Sequence, residues 1–306
     1  MLSTTRPPGY ELVIDEYLFN TEKHRLTQSP DGWHSFYWVD EKRKVVTAFW
    51  HLHVDEECAF SPFRATFSGP QFTSKVSLRQ LVSFITCVHD QLTNLGVKKF
   101  LVTLPPQGYD NYSFVLAYQA FVDAGFVPIK SEAVAIIPVG DMAFENLIHS
   151  SEKKKINKCK KRGYTFKKVF FSEFERLYSF IEECRAERGH QLSLPMKELE
   201  AIIKKQPNSF SYFCVQDNTK YVAAAICIHI NDEILYVFYG GHLKEYDKVS
   251  PAVYLYKGIY EVCQLQNIRM IDFGTSPKNG ATNYDLLDFK TYLGSELSLK
   301  VTFSKS

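Results

Sequence analysis

Near the end of the chain runs Ile268-Arg-Met-Ile-Asp272-Phe-Gly274-Thr275-Ser276-Pro-Lys-Asn-Gly280-Ala-Thr-Asn283-Tyr-Asp-Leu-Leu-Asp288-Phe-Lys290-Thr-Tyr-Leu-Gly294. It reads as a short buried strand, a polar Gly-rich loop and a short helix. The Asp272 carboxylate falls where strand gives way to loop, where open α/β sheets gather ligand-binding groups. A carboxylate there can orient or deprotonate a nucleophile. It can equally hydrogen-bond the following loop as an Asx-turn. Lys290, as an ammonium, can hold a phosphate or carboxylate, or can simply be solvated. Thr275, Ser276 and Asn283 offer substrate contacts along the loop. Upstream, Tyr236 and Tyr239 stand three apart on a strand, a spacing that predicts opposite faces. A hydroxyl such as that of Tyr239 could protonate a leaving group or hold an oxyanion, or could pack in the core.

Three further groups stand apart from that stretch. Residues 152–162 are dense in cations: Lys153, Lys154, Lys155, Lys158, Lys160, Lys161 and Arg162 against one acid, Glu152. Such a run is either a solvated helix or a phosphate-binding face for a tRNA backbone, a nucleotide-linked substrate or anionic lipid headgroups. Lys154, Lys158 and Lys161 are its candidate phosphate contacts. Arg64, in Ser61-Pro-Phe-Arg64-Ala-Thr-Phe-Ser-Gly69-Pro70, could clamp a carboxylate. Among nine histidines only His51-Leu-His53 resembles a metal pair, and no third ligand is near, so no metal is expected.

The rest of the sequence must position these groups. The chain has 306 residues, 45% of them hydrophobic, with a formal net charge of +2. That length suits two domains of ordinary size. The first nine residues lack the apolar core of a signal peptide. No run reaches the roughly 18 apolar residues of a membrane helix. Seven scattered cysteines without a CxxC spacing fit reduced thiols. A cytoplasmic protein is the expectation.

Residues 33–39 and 44–54 flank Asp40-Glu-Lys-Arg43 and predict a hairpin. Leu78, Leu81, Phe84, Ile85, Val88, Leu92 and Leu95 mark a helix over 77–95, ended by Gly96. A strand at 100–104, a helix opened by Asn111 and a strand at 133–137 follow. The pattern then restarts with a basic helix (144–162), a strand (164–170) and a helix (173–188) with Ser172 and Glu175 as its capping box. After a short helix (196–205), strands 210–216 and 220–230 pair around Asp217-Asn218, and strand 234–240 follows. Ser250 caps a helix that begins at Pro251, and the chain closes on a strand at 298–304. Segments 34–138 and 210–303 share this order, as two copies of one module would.

The second half resembles the GNAT acyltransferase superfamily, in the divergent branch around the Fem-type peptidoglycan-bridge aminoacyltransferases and related acetyltransferase domains. Three segments carry the resemblance: Tyr236-Val-Phe-Tyr239-Gly240-Gly241 with Ser250-Pro-Ala-Val-Tyr254, Ile271-Asp272-Phe-Gly274-Thr-Ser-Pro, and Leu286-Leu-Asp-Phe-Lys290-Thr-Tyr-Leu-Gly294. It implies an α/β (α+β) fold of two tandem GNAT-like modules, each a mixed, mostly antiparallel sheet flanked by helices. We place them at 1–142 and 143–306, with the active cleft in the second.

The activity implied is N-acyl transfer from an activated donor, acyl-CoA or aminoacyl-tRNA, to a small-molecule amine acceptor. No tightly bound cofactor is implied. Asp272, Tyr239 and Lys290 are the expected catalytic residues. One departure stands out. Where an ordinary GNAT enzyme has a Gly-rich turn whose N–H groups grip the coenzyme A pyrophosphate, this chain reads His242-Leu-Lys-Glu-Tyr-Asp247-Lys-Val-Ser-Pro251. The glycines are missing and Pro251 lacks an N–H. The alternative expectation is therefore a non-catalytic GNAT-like protein that binds a phosphate-bearing ligand.

Overall fold

Alternating aromatic and β-branched residues build the first sheet. In the computed structural model, which describes residues 1–278 and 280–306, strands β1 (Trp33–Asp40) and β2 (Val45–Asp55) pair antiparallel with Phe36 opposite Trp50. Asp40 closes their turn by accepting the N–H groups of Lys42 and Arg43 at 3.0 and 3.1 Å. Strand β3 (Cys58–Ser61) adds to β2, and β4 (Lys99–Thr103) lies parallel to β3. Helix α1 (Leu78–Asn94) opens with a capping box of Ser77 and Gln80. Helix α2 (Asn111–Asp123) is capped by Asp110, one residue before the expected Asn111. Both helices deliver their apolar stripes to a core of Trp50, Phe84, Phe100, Phe121 and Phe303. Each such ring removed from water contributes about 2–3 kcal/mol before entropy.

The chain divides into two compact units: Met1–Ala133 with Ser298–Ser306, and Val134–Leu297. The expected division after residue 142 keeps the last strand in the second module. In the structure its residues Thr302–Lys305 pair antiparallel with Phe100–Thr103 of β4, and Val301 and Phe303 are buried in the first unit's core. Strand β5 (Val127–Pro138) carries the chain from one unit to the other.

The second unit begins with a short helix, Phe144–Leu147, and then α3 (Ser150–Lys161). The single helix expected over 144–162 is broken because Ile148 and His149 take extended backbone, and the His149 side chain caps α3. Then follow β6 (Thr165–Val169), α4 (Phe174–Ala186), α5 (Met196–Lys205), β7 (Phe210–Asp217), β8 (Lys220–Asn231), β9 (Ile234–His242), α6 (Pro251–Leu265), β10 (Met270–Thr275) and α7 (Tyr284–Tyr292). The expected Ser172–Glu175 capping box does not form. A 3-10 turn over Phe171–Glu173 runs directly into α4, and Glu173 instead accepts a short hydrogen bond from the Tyr221 hydroxyl.

The unit's sheet runs β5, β10, β9, β8, β7, β6, and every pairing but β9–β10 is antiparallel. Helix α6 packs on it through Val253, Leu255, Ile259 and Cys263. The fit is close at Gly258, where a Cβ would stand 2.3 Å from the Phe166 ring. The architecture is thus mixed α/β, a mostly antiparallel sheet flanked by helices and divided into two units. No helix among the described residues is long and apolar enough to cross a membrane.

Candidate functional site

The parallel pair β9–β10 organises the site. Its register holds for three residues, Ile234 with Met270, Leu235 with Ile271 and Tyr236 with Asp272. Beyond them β9 continues to His242 without β10 beside it, so the two strands part and leave a notch. Across β9, strand β8 places Ile228 opposite Tyr236 and Ile226 opposite Tyr239, with a register shift that leaves Phe238 as an extra residue. This bulge resets the alternation. Because Ile226 and Ile228 share a face, Tyr236 and Tyr239 do too, contrary to the opposite faces their spacing predicts.

Asp272 stands at the fork, 3% exposed, and its Oδ1 accepts the N–H of Gly274. The Asx-turn is therefore formed, and Gly274 completes it in the left-handed region at φ +66°. A Cβ on Gly274 would meet the Tyr236 ring at 3.1 Å, so the turn presses directly against that tyrosine. Burial, followed by the Asp272 charge, pushes the Tyr236 hydroxyl above the ordinary tyrosine range. Tyr236 is thus kept as a neutral O–H.

Lys290 is not a solvated helix lysine. It is 7% exposed, and its Nζ donates to the carbonyls of Gly274 at 3.0 Å and Thr275 at 2.8 Å. Burial lowers its pKa to about 8; Asp272 opposes that shift and Arg185 adds to it. Thr275 therefore contributes a carbonyl to the lysine. Ser276 is buried, with an Oγ that has no hydrogen-bond partner among the described residues. Asn283 caps α7, its Oδ1 accepting from Leu286 N at 3.1 Å and its N–H reaching Ser276 O at 2.7 Å. That cap turns α7 so that Lys290 points back under the loop.

Tyr239 is committed elsewhere. Its hydroxyl lies 2.7 Å from Ser193 Oγ and accepts the Leu194 N–H at 2.9 Å, tying the segment before α5 to β9. Tyr256 of α6 is nearer the notch, since a Cβ on Gly240 would stand 3.2 Å from its hydroxyl. Burial pushes its pKa up to about 12. Sequence reasoning passed over Arg185, in the last turn of α4. Its signal was its place four residues after Ile181 and eight after Leu177, on the helix's apolar stripe.

The segment between β9 and α6 is closed on itself. Tyr246, Asp247, Val249 and Ser250 donate their N–H groups to carbonyls of the same segment, and Lys244 donates to Glu187 Oε2 at 2.8 Å. Arg188 braces it by donating to His242 O at 2.7 Å and Asp247 Oδ1 at 2.8 Å. Ser250 precedes α6 in the left-handed region, φ +54°, and makes no side-chain cap, contrary to expectation. These N–H groups are already spent, and Glu187, Glu245 and Asp247 beside them are paired with Arg188 and Lys220.

Arg64 lies in the first unit, exposed on its loop. On α3, Lys154 and Lys161 are exposed and Lys158 donates to Lys248 O at 3.2 Å, while Lys155 is taken by buried Glu152 at 2.8 Å. His51, the nearer half of the histidine pair, sits against Ser35 Oγ at 2.9 Å.

Residues 150–290 match the profile of the acetyltransferase (GNAT) domain family. Among solved structures, FemX aligns with a TM-score of 0.70 at 14% identity, over 95% of this chain and 92% of that one. The C-terminal domain of a putative lysylphosphatidylglycerol synthetase from Agrobacterium fabrum aligns with a TM-score of 0.60 at 12% identity, over 94% and 88%. A tandem GNAT protein from the clavulanic acid biosynthesis pathway aligns with a TM-score of 0.52 at 9% identity, over 89% and 82%. At these identities the likeness is one of fold. No curated protein matches the sequence.

Proposed function

We propose, from the GNAT-domain match over residues 150–290 and a fold like that of FemX, that the chain is an N-acyltransferase of the GNAT superfamily whose reaction occurs at the β9–β10 notch. The amine nitrogen of the acceptor attacks the carbonyl carbon of an activated ester or thioester. The carbonyl electron pair moves to oxygen, then returns and expels the alkoxide or thiolate, while the new amide nitrogen loses a proton. Two charges need help: the transient oxyanion and the leaving proton.

The observation that carries this reading is Lys290. An ammonium has three donors. Two are pinned on the Gly274 and Thr275 carbonyls, which leaves the third for the oxyanion. Asp272 keeps that ammonium charged and is the acid-base partner of the incoming amine. Tyr236, held neutral, can donate to the leaving group. Tyr239 acts through the segment it ties down, as a positioning residue. Thr275, Ser276 and Asn283 shape the loop, and the two units, 1–133 with 298–306 and 134–297, are proposed as a tandem GNAT pair.

The closed segment at 243–250 supports a donor that is not gripped by its pyrophosphate there. The exposed lysines 154, 158 and 161 support a phosphate-rich donor, an aminoacyl-tRNA. The test combines binding and turnover. Purified protein is screened by thermal shift with acetyl-CoA and with charged tRNA, and donor consumption is followed with hydroxylamine as the amine. Stabilisation by charged tRNA that fades in high salt, with hydroxamate formed from the aminoacyl ester and lost in Asp272→Asn, is the expected result. Stabilisation by acetyl-CoA with hydroxamate formed from it would overturn the choice of donor. Turnover of neither donor would overturn the enzyme reading.

A further inference from the structure

Among the described residues, Arg185 is a cation without a counter-ion. Its Nε is buried and has no hydrogen-bond partner, and among the described residues the guanidinium makes no ion pair. Of the nearby acids, Glu187 accepts from Lys244, and Glu182 and Glu183 are exposed and form no ion pair with it among the described residues. Leaving a guanidinium partly buried and unpaired is costly, and native proteins keep such groups where a ligand completes them.

Its position is fixed from both sides. The neighbouring Cys184 lies against β9, where a Cβ on Gly241 would stand 3.2 Å from the Cys184 Cβ. The last turn of α4 therefore abuts the part of β9 that has left β10. From there the Arg185 charge bears on Tyr236 of β9, Tyr256 of α6 and Lys290 of α7. Arg185 thus adds a second positive charge to that of Lys290.

We propose that Arg185 is the anion-recognition residue of this site: its planar fork receives a carboxylate or phosphate carried by the acyl acceptor. This rests on the acyl-transfer reading above and adds the acceptor's chemical class, an amine that also bears an anionic group. The guanidinium offers paired donors suited to two oxygens of one anion. Gripping that anion at the end of α4 directs the acceptor's amine towards Asp272 and Lys290.

Three amines of similar size separate the possibilities: glycylglycine (carboxylate), glycylglycinamide (no anion) and phosphoethanolamine (phosphate). Binding is measured by thermal shift on the wild type, Arg185→Gln and Arg185→Lys. An anionic amine is expected to bind roughly ten- to a hundredfold more tightly than the amide. That preference should vanish in Arg185→Gln and weaken in Arg185→Lys. Whichever anion is preferred names the source.

A measurement on the unmodified protein stands behind the variants: the same amine should shield Arg185 from phenylglyoxal, read by mass spectrometry. Equal binding of the amide and both anionic amines, or no shielding of Arg185, would overturn the proposal. Arg185-dependent anion binding without any transfer would sink the enzyme reading alone. Transfer without anion preference would sink this one alone.

Discussion

Replacing Lys290 with Met tests whether a buried ammonium sits at the centre of the site. The side chain is 7% exposed and its pKa is lowered from 10.5 to about 8. At 1.36 kcal/mol per unit, the folded state at neutral pH carries about 3 kcal/mol of disfavoured charge. The sign follows from linkage. Between about pH 8 and 10.5 the unfolded chain holds this proton and the folded one does not, so stability rises with pH across that window. Met fills the same space without the charge but abandons the Gly274 and Thr275 carbonyls, at roughly 1 kcal/mol each.

Lys290→Met should therefore match or slightly exceed the wild type at pH 7. It should then lose about 2.5 kcal/mol relative to the wild type as both are taken to pH 10. Urea denaturation of the pair at several pH values gives the difference, and titrations common to both cancel. A stability difference that stays flat from pH 7 to 10 would mean that Lys290 ionises as it does in water, and the site as built above would fail.

Two further outcomes follow from the same contacts. If Lys290 works as the ammonium, turnover with a saturating amine should show a descending limb near pH 8, and that limb should be absent from the residual rate of Lys290→Met. Gly258→Ala forces a methyl into the Phe166 ring, 2.3 Å away. It should cost about 1–3 kcal/mol in urea denaturation, and a loss near zero would show that α6 and β6 are not packed as described.

What was legible in the sequence was whatever depended on local pattern. The apolar recurrence from Leu81 to Leu92 gave a helix within a residue of its ends, and Asp217-Asn218 gave the hairpin. What failed depended on tertiary context. The faces of Tyr236 and Tyr239 were misread because a one-residue bulge at Phe238 cannot be seen in a run of aromatics. Ser172 looked like a cap, but a 3-10 turn and the pull of Tyr221 on Glu173 decided the start of α4. Lys290 was identified as a candidate, yet its burial was not foreseeable. Helix α7 is short and leaves Tyr284 and Tyr292 exposed, so no apolar stripe marks its inward side. Arg185 lay in plain view on the stripe of α4, where long side chains often snorkel to water.

The order of the pieces along the chain has a consequence for biosynthesis. Residues 134–297 are synthesised before the strand that places Val301 and Phe303 in the first unit's core. The earlier-made unit is thus the later to finish. Until its last strand arrives, the β4 edge over Phe100–Thr103 is an open template for foreign strands. The nascent protein is therefore most exposed to misassembly in the unit whose sheet is closed last.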